Sequence, residues 1–123
     1  MKLTLVDGLY SIARIPPSTA IPQWHLSSRF FSISKSEDEI SIVCEDHLIP
    51  EEVKKDAGWI LFKFKDKLDF QLTGILSSIA APLAEHKISI FAVSTFDTDY
   101  ILVERKAIER TMEILEKCGF IFV

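Results

Sequence analysis

The sequence has little of what a membrane-spanning or exported chain needs. No apolar run approaches the roughly 20 residues of a membrane helix. The start, MKLTLVDGLYSIARIPP, breaks its short apolar run at Asp7 and Gly8, so no secretory leader is expected. There are two cysteines, Cys44 and Cys118, far apart and each at the end of an apolar run. That usage predicts buried thiols in a reducing compartment rather than a disulfide, and a cytoplasmic location. Positive charge is in the minority, 14 Lys and Arg against 18 Asp and Glu, with a pI near 5.3. No basic stripe interrupts it, which argues against nucleic acid as a partner. His25, His47 and His86 are scattered without metal-ligand spacing. No glycine-rich phosphate loop or nucleophile elbow is present. Neither a metal nor a cofactor is therefore expected, and no catalytic residue.

What is present is a globular composition. The chain has 123 residues, 48% of them hydrophobic, enough for one domain or for two small units sharing a core. The strongest signal is internal. FFSISKSEDEISIVCE, from Phe30, echoes IFAVSTFDTDYILVE, from Ile90, at a shift of sixty residues without a gap. Ser34 meets Ser94, Glu37 meets Asp97 and Glu39 meets Asp99. Further on, GWILF (58–62) echoes GFIFV (119–123) with one residue of slippage. The expectation is a duplication: a degenerate N-terminal unit over residues 1–57 and a complete unit over 58–123. The long stretches 3–15 and 59–70, each interrupted near its middle, read as bent strands serving both units. Sharing them relieves the marginal stability of a 60-residue unit.

The second unit reads as strand, helix, strand, hairpin tip, strand, helix, strand. In LTGILSSIAAPLAEH, Leu72, Ile75, Leu76, Ile79 and Leu83 form an apolar stripe at helical spacing, and Pro82 predicts a kink near Ser78. In RKAIERTMEILEKC, Ile108, Met112, Leu115 and Cys118 fall on one face, with Gly119 as the stop. His86 sits where it complements a helix C-terminus. In the first half, PPSTAIPQWHL allows at most one or two helical turns, and PEEVKKDAG reads as a short helix with Pro50 in its first turn.

Two segments carry the candidate chemistry. STFDTD admits a catalytic dyad, a metal site or a hairpin tip. Two acids flanking one threonine lack the tuned environments of a dyad and the third ligand of a metal site, whereas Asp and Thr between strands favour a turn. The loop KLDFQLTG leads into a helix start. The amides of Gln71, Leu72, Thr73, Gly74 and Ile75 suit a carboxylate, Thr73 offers a hydroxyl, and Asp69 suits an ammonium. An ordinary capped helix start, with Asp69 or Thr73 as cap and Gly74 allowing close helix–sheet packing, accounts for the same residues.

The run LDFQLTGILSSIAAPLAEHKISIFAVSTFDTDYILVE (68–104) closely resembles the ACT domain, a ferredoxin-like βαββαβ unit. ISIFAVSTFDTDYILV looks like the sub-type of small tandem-ACT proteins, similar to the regulatory domains of aspartate kinases and to cytosolic arginine sensors. FFSISKSEDEISIVCEDHLIPEEV looks like their degenerate partner unit. The resemblance implies an α+β fold: two ferredoxin-like units packed together, with antiparallel sheets, helices on one face and the first unit degenerate. It implies a non-catalytic regulatory module that binds an amino acid or related small metabolite and acts as a homodimer or on a partner protein. It also implies a ligand set: Asp69, Phe70, Gln71, Leu72, Thr73, Gly74 and Ile75 from the loop and helix start, with Ser94 and Thr95 from the hairpin root. Two alternatives belong to other classes. One is a protein–protein adaptor without a ligand. The other is an RNA-binding domain of the same βαββαβ order, against which TDYILVE lacks the required Gly-aromatic pattern.

Overall fold

The computed structural model describes residues 1–69 and 71–123. Among these residues, seven strands and two α-helices follow in the order β1 (Lys2–Ile15), β2 (Ser32–Lys35), β3 (Ile40–Glu45), β4 (Lys54–Phe64), α1 (Ile75–Glu85), β5 (Ile90–Ser94), β6 (Asp99–Glu104), α2 (Ile108–Lys117) and β7 (Ile121–Phe122). Contacts divide them into one unit of Met1–Asp7 with Ile60–Val123 and another of Gly8–Trp59. The first seven residues thus fold with the C-terminal unit. β1 and β4 both pass from one unit into the other. Each carries a glycine with positive φ near the passage, Gly8 at 111° and Gly58 at 89°. An L-residue adopts such backbone only under strain. β4 takes its irregular residue at Gly58 and ends at Phe64, so the interruption expected near Asp66 and Lys67 is the start of a loop.

In the C-terminal unit the neighbour order is β7, β1, β4, β6, β5. A bare βαββαβ unit would pair its last strand with its first. Here β1 stands between them, and β7 runs parallel to it with Lys2 opposite Ile121 and Leu3 opposite Phe122. Both helices pack on one face of this sheet. Phe62, Phe64, Ile101, Val103 and Leu3 from the strands meet Ile79, Leu83, Ile114 and Leu115 from the helices. Each such side chain, fully buried, contributes roughly 1.5–3 kcal/mol. Phe120 and Phe122 extend the core with a tilted contact to Phe64 and an edge contact to Phe62, at 6.3 and 5.8 Å between centroids.

Both helices end in the same device. After α1, Lys87 N donates to Ala84 O and Ile88 N to Leu83 O. After α2, Gly119 N donates to Glu116 O and Phe120 N to Leu115 O. Each is a Schellman turn with a buried apolar pair, Leu83 with Ile88 and Leu115 with Phe120. Glycine takes the left-handed position in one and a lysine in the other, Lys87 at φ 58°. α1 continues through Pro82 for another turn, which sacrifices the bond that the Ser78 carbonyl would have accepted. His86 Nδ1 donates to the Pro82 carbonyl at 2.8 Å. The buried residues of α2 are Thr111, Ile114 and Leu115. Cys118 leaves the predicted stripe because it is the cap residue of the turn, and its thiol is exposed rather than buried.

In the unit of Gly8–Trp59, β3 lies between β1 and β2, with Ile12 opposite Val43 and Ile33 opposite Ile42. Its core is Ala13, Ile15, Ile40, Ile42, Cys44 and Ile49, closed by Trp24, Ile33 and Val53. The helix expected in PEEVKKDAG does not form. Val53 N donates to Pro50 O in a single turn and β4 begins at Lys54. A segment of one to two turns cannot repay helix nucleation, so strand pairing takes it. The proline-rich segment runs as successive turns, and it delivers His25, 2% exposed, between the ring edges of Trp24 and Phe31.

Candidate functional site

In the C-terminal unit, a cleft of about 190 Å³ opens at the N-terminal end of α1. Three pieces of chain build it. The first is the loop from β4 to α1. Asp69 folds it: its carboxylate Oδ1 accepts from Gln71 N at 2.8 Å and its carbonyl from Leu72 N at 3.0 Å. Leu68, Asp69 and Leu72 face the cleft. The second is the helix start. Gly74 is the N-cap in left-handed conformation, φ 73°, and no side chain caps the helix. A Cβ at Gly74 would have nothing within 4 Å, so its φ, and not close packing, is what requires glycine. Ile75 supplies a second apolar wall.

The third piece is the β5–β6 hairpin. Its register sets Ser94 directly opposite Asp99, Ala92 opposite Ile101 and Ile90 opposite Val103. These pairs share the helix-facing side, since alternate residues of a strand point the same way. Ile101 and Val103 are core. Ser94 and Asp99, one step beyond the core, therefore arrive in the cleft. The tip is a four-residue turn tied by its own threonines. Thr95 N donates to Thr98 O at 2.8 Å, the Thr95 hydroxyl donates to the same carbonyl at 3.0 Å, and its oxygen accepts from Thr98 N at 3.3 Å. The Thr98 hydroxyl is buried beside the cleft without a partner among the described residues. Phe96, 74% exposed, and the half-exposed Leu72 also line the cleft.

The two aspartates of FDTD part company. Asp99 turns into the cleft, while Asp97 turns out to Lys67 at 3.3 Å, a pair whose two side chains are largely exposed. The Asp97 carbonyl also accepts from Leu68 N at 2.7 Å, which ties the hairpin tip to the loop. A dyad needs two carboxyl groups on one reacting centre, and these point apart. Among the described residues, no three His, Cys, Asp or Glu side chains gather as metal ligands. Among the described residues, no helix is long and apolar enough to cross a membrane.

Of the residues predicted from sequence, Asp69, Leu72, Ile75, Ser94 and Thr95 line the cleft. Gln71, Thr73 and Gly74 are exposed neighbours outside its lining. Phe70 lies outside the described residues. Sequence reasoning missed Leu68, Phe96, Thr98 and Asp99. The signal for Asp99 was strand alternation: counting by two from Val103 and Ile101 leads to it.

In the other unit, CEDH is structural. Cys44 is buried, and burial, followed by the neighbouring Glu45 and Asp46 charges, pushes its thiol up to about 11. Burial also pulls the Glu45 carboxyl upward. Bonds from Arg29 N (2.7 Å), with Ser28 nearby, and the Arg29 guanidinium (2.9 Å) outweigh it and hold the group below the usual carboxylate range. Asp46 is held low by Lys55 at 2.8 Å and by the Ser11 hydroxyl.

A model of the ACT domain matches residues 54–117, and a second, described as an N-terminal domain, matches residues 8–52. The chain is 32% identical over 123 residues to "Cytosolic arginine sensor for mTORC1 subunit 1" of Pongo abelii, covering 93% of this chain and 37% of that protein. It thus spans just over a third of that relative. A solved structure from Agrobacterium tumefaciens is 43% identical, with a TM-score of 0.94, covering 99% of this chain and 91% of that one. The regulatory subunit of aspartate kinase from Thermus thermophilus shares the fold: 8% identity, TM-score 0.62, covering 94% and 96%.

Proposed function

The chain belongs to the ACT domain family, and on that premise we propose that it is a non-catalytic sensor module whose C-terminal unit binds an amino acid at the cleft before α1. One observation carries the reading: the β4–α1 loop and the root of the β5–β6 hairpin, distant in sequence, meet around one small cavity. At about 190 Å³ it is below the roughly 300–1,000 Å³ of sites for drug-sized ligands, and so suits a metabolite. Its chemistry is divided as an amino acid requires. The helix start, uncapped by any side chain, offers backbone donors to a carboxylate. Leu68, Leu72 and Ile75 give an apolar wall. Asp69 and Asp99 are two carboxylates with no cation in the same lining. A single α-ammonium balances one of them, so the ligand carries a second cationic group, an amine or guanidinium on its side chain. Relatives named as arginine sensors agree with that class.

We further infer that the chain is two ferredoxin-like units, the first degenerate, and that occupancy is read out through a second copy or a regulated partner. The test is thermal shift against the twenty amino acids. A ligand at 100 times its Kd adds about 2.7 kcal/mol. Basic amino acids are expected to raise the melting temperature, and Asp99→Asn to abolish the rise while leaving the unliganded melting temperature within a few degrees. No shift with any amino acid, or a shift that Asp99→Asn leaves intact, refutes the reading.

A further inference from the structure

A second hollow, of about 400 Å³, lies in the unit of Gly8–Trp59 where β4 begins. Ile12 and Arg14 of β1 border it on one side and Lys54, Lys55, Asp56 and Ala57 of β4 on the other. Acids outnumber bases along the chain, 18 to 14, yet three cations gather here. Their local balance is uneven. Lys55 already has a counter-charge in Asp46 at 2.8 Å. Arg14 spends one guanidinium nitrogen on the Asp38 carbonyl at 3.1 Å, a neutral acceptor that leaves its charge unmatched. Lys54 has no side-chain partner among the described residues. Asp56, the one acid of the lining, accepts from the Trp59 indole nitrogen at 3.2 Å.

From this arrangement we infer that the hollow binds the phosphate group of a small phosphorylated metabolite. A guanidinium fork and an exposed ammonium lining the same hollow match the several acceptor oxygens and the double charge of a phosphate. A lone carboxylate leaves one of the two cations unanswered. Ile12 and Ala57 give the hollow an apolar border for the organic part of the ligand. The site is separate from the amino-acid cleft, and its residues take no part in that proposal.

The test is titration calorimetry of the full chain at low ionic strength, with inorganic phosphate, pyrophosphate and a mononucleotide in separate arms. Saturable binding is expected in at least one arm, weakened roughly tenfold or more by Arg14→Gln and by Lys54→Gln, the loss of one charge-assisted contact each. Asp56→Asn keeps the acceptor for Trp59, removes the opposing charge and is expected to tighten binding. Lys106→Gln, in the other unit, is expected to change nothing. A nucleotide preferred over pyrophosphate supports use of the apolar border, and equal affinity supports recognition of the phosphate alone. No saturable binding in any arm overturns the proposal, as does binding indifferent to both Arg14→Gln and Lys54→Gln. An oligonucleotide that binds better with length overturns it in favour of nucleic acid.

Discussion

Lys87→Gly should stabilise the protein, and Gly119→Ala should destabilise it, although both positions play the same part in two equivalent turns. Lys87 holds φ at 58° and Gly119 at 98°. A left-handed backbone costs an L-residue roughly 1–2 kcal/mol, and glycine relieves that cost. Against this, glycine loses about 0.5–1 kcal/mol more conformational freedom on folding. Removing the lysine charge from the C-terminal end of α1 costs about 0.3 kcal/mol more at an exposed position. The balance for Lys87→Gly is about 0.5 kcal/mol in favour of folding. At Gly119 the terms reverse. A Cβ there meets nothing within 4 Å, so the cost is purely backbone and comes to about 1 kcal/mol, with φ already outside the left-handed well. Unfolding entropy of roughly 2.1 cal/mol/K per residue converts these into a rise of about 2 °C and a fall of about 4 °C. Urea midpoints at constant slope give the free energies, and calorimetry gives the temperatures. If Lys87→Gly lowers the midpoint while Gly119→Ala also does, the lysine side chain stabilises the turn by more than its backbone strain, and the reasoning fails.

Two further outcomes test the other unit. A Cβ on Gly8 would stand 3.1 Å from Glu45 Oε1 and 3.5 Å from the Arg29 guanidinium, at φ 111°, so Gly8→Ala should cost about 2 kcal/mol or more in urea. The folded Glu45 carboxyl is held below its unfolded value, so its contribution is present above about pH 4.3 and is lost as the pH falls through the folded value. The urea midpoint of the wild type should therefore fall more steeply than that of Glu45→Gln between pH 5 and 3, and parallel curves would show that Glu45 is not the group responsible.

Much of the fold is legible in the residues. Leu83, Ile79 and Ile75 announce α1 by spacing alone, and Gly119 marks the end of α2. What the residues conceal is where competing terms nearly balance. PEEVKKDAG has the right charges for a helix at each end, yet it is too short to nucleate one against an adjacent strand. Cys118 has the right spacing for the core but falls on the cap, where the chain turns away. The insertion of β1 between β4 and β7 depends on contacts across the whole length of the sequence, and no local pattern encodes it.

The site was half legible for a sharper reason. The sixty-residue echo pairs Ser34 with Ser94 and Glu39 with Asp99. In the structure Lys35 opposes Ile40 at one hairpin tip, and Ser94 opposes Asp99 at the other. The positional equivalents of Ser94 and Asp99 are thus Lys35 and Ile40, one residue off the echo. In a strand a slip of one exchanges the two faces. Read at the echo's register, Asp99 looks like one of two solvated acids at a tip. Read at the observed register, it is the last inward residue of β6, in line with Ile101 and Val103, and it occupies the place that buried Ile40 takes in the other unit. A charged residue at a place beside the hairpin tip where the other unit's hairpin buries an isoleucine is a departure that the core does not require. It falls at the one inward position of β6 that opens on the cleft rather than on α1 and α2, and this is why the cationic-ligand reading rests on Asp99 more than on any other side chain.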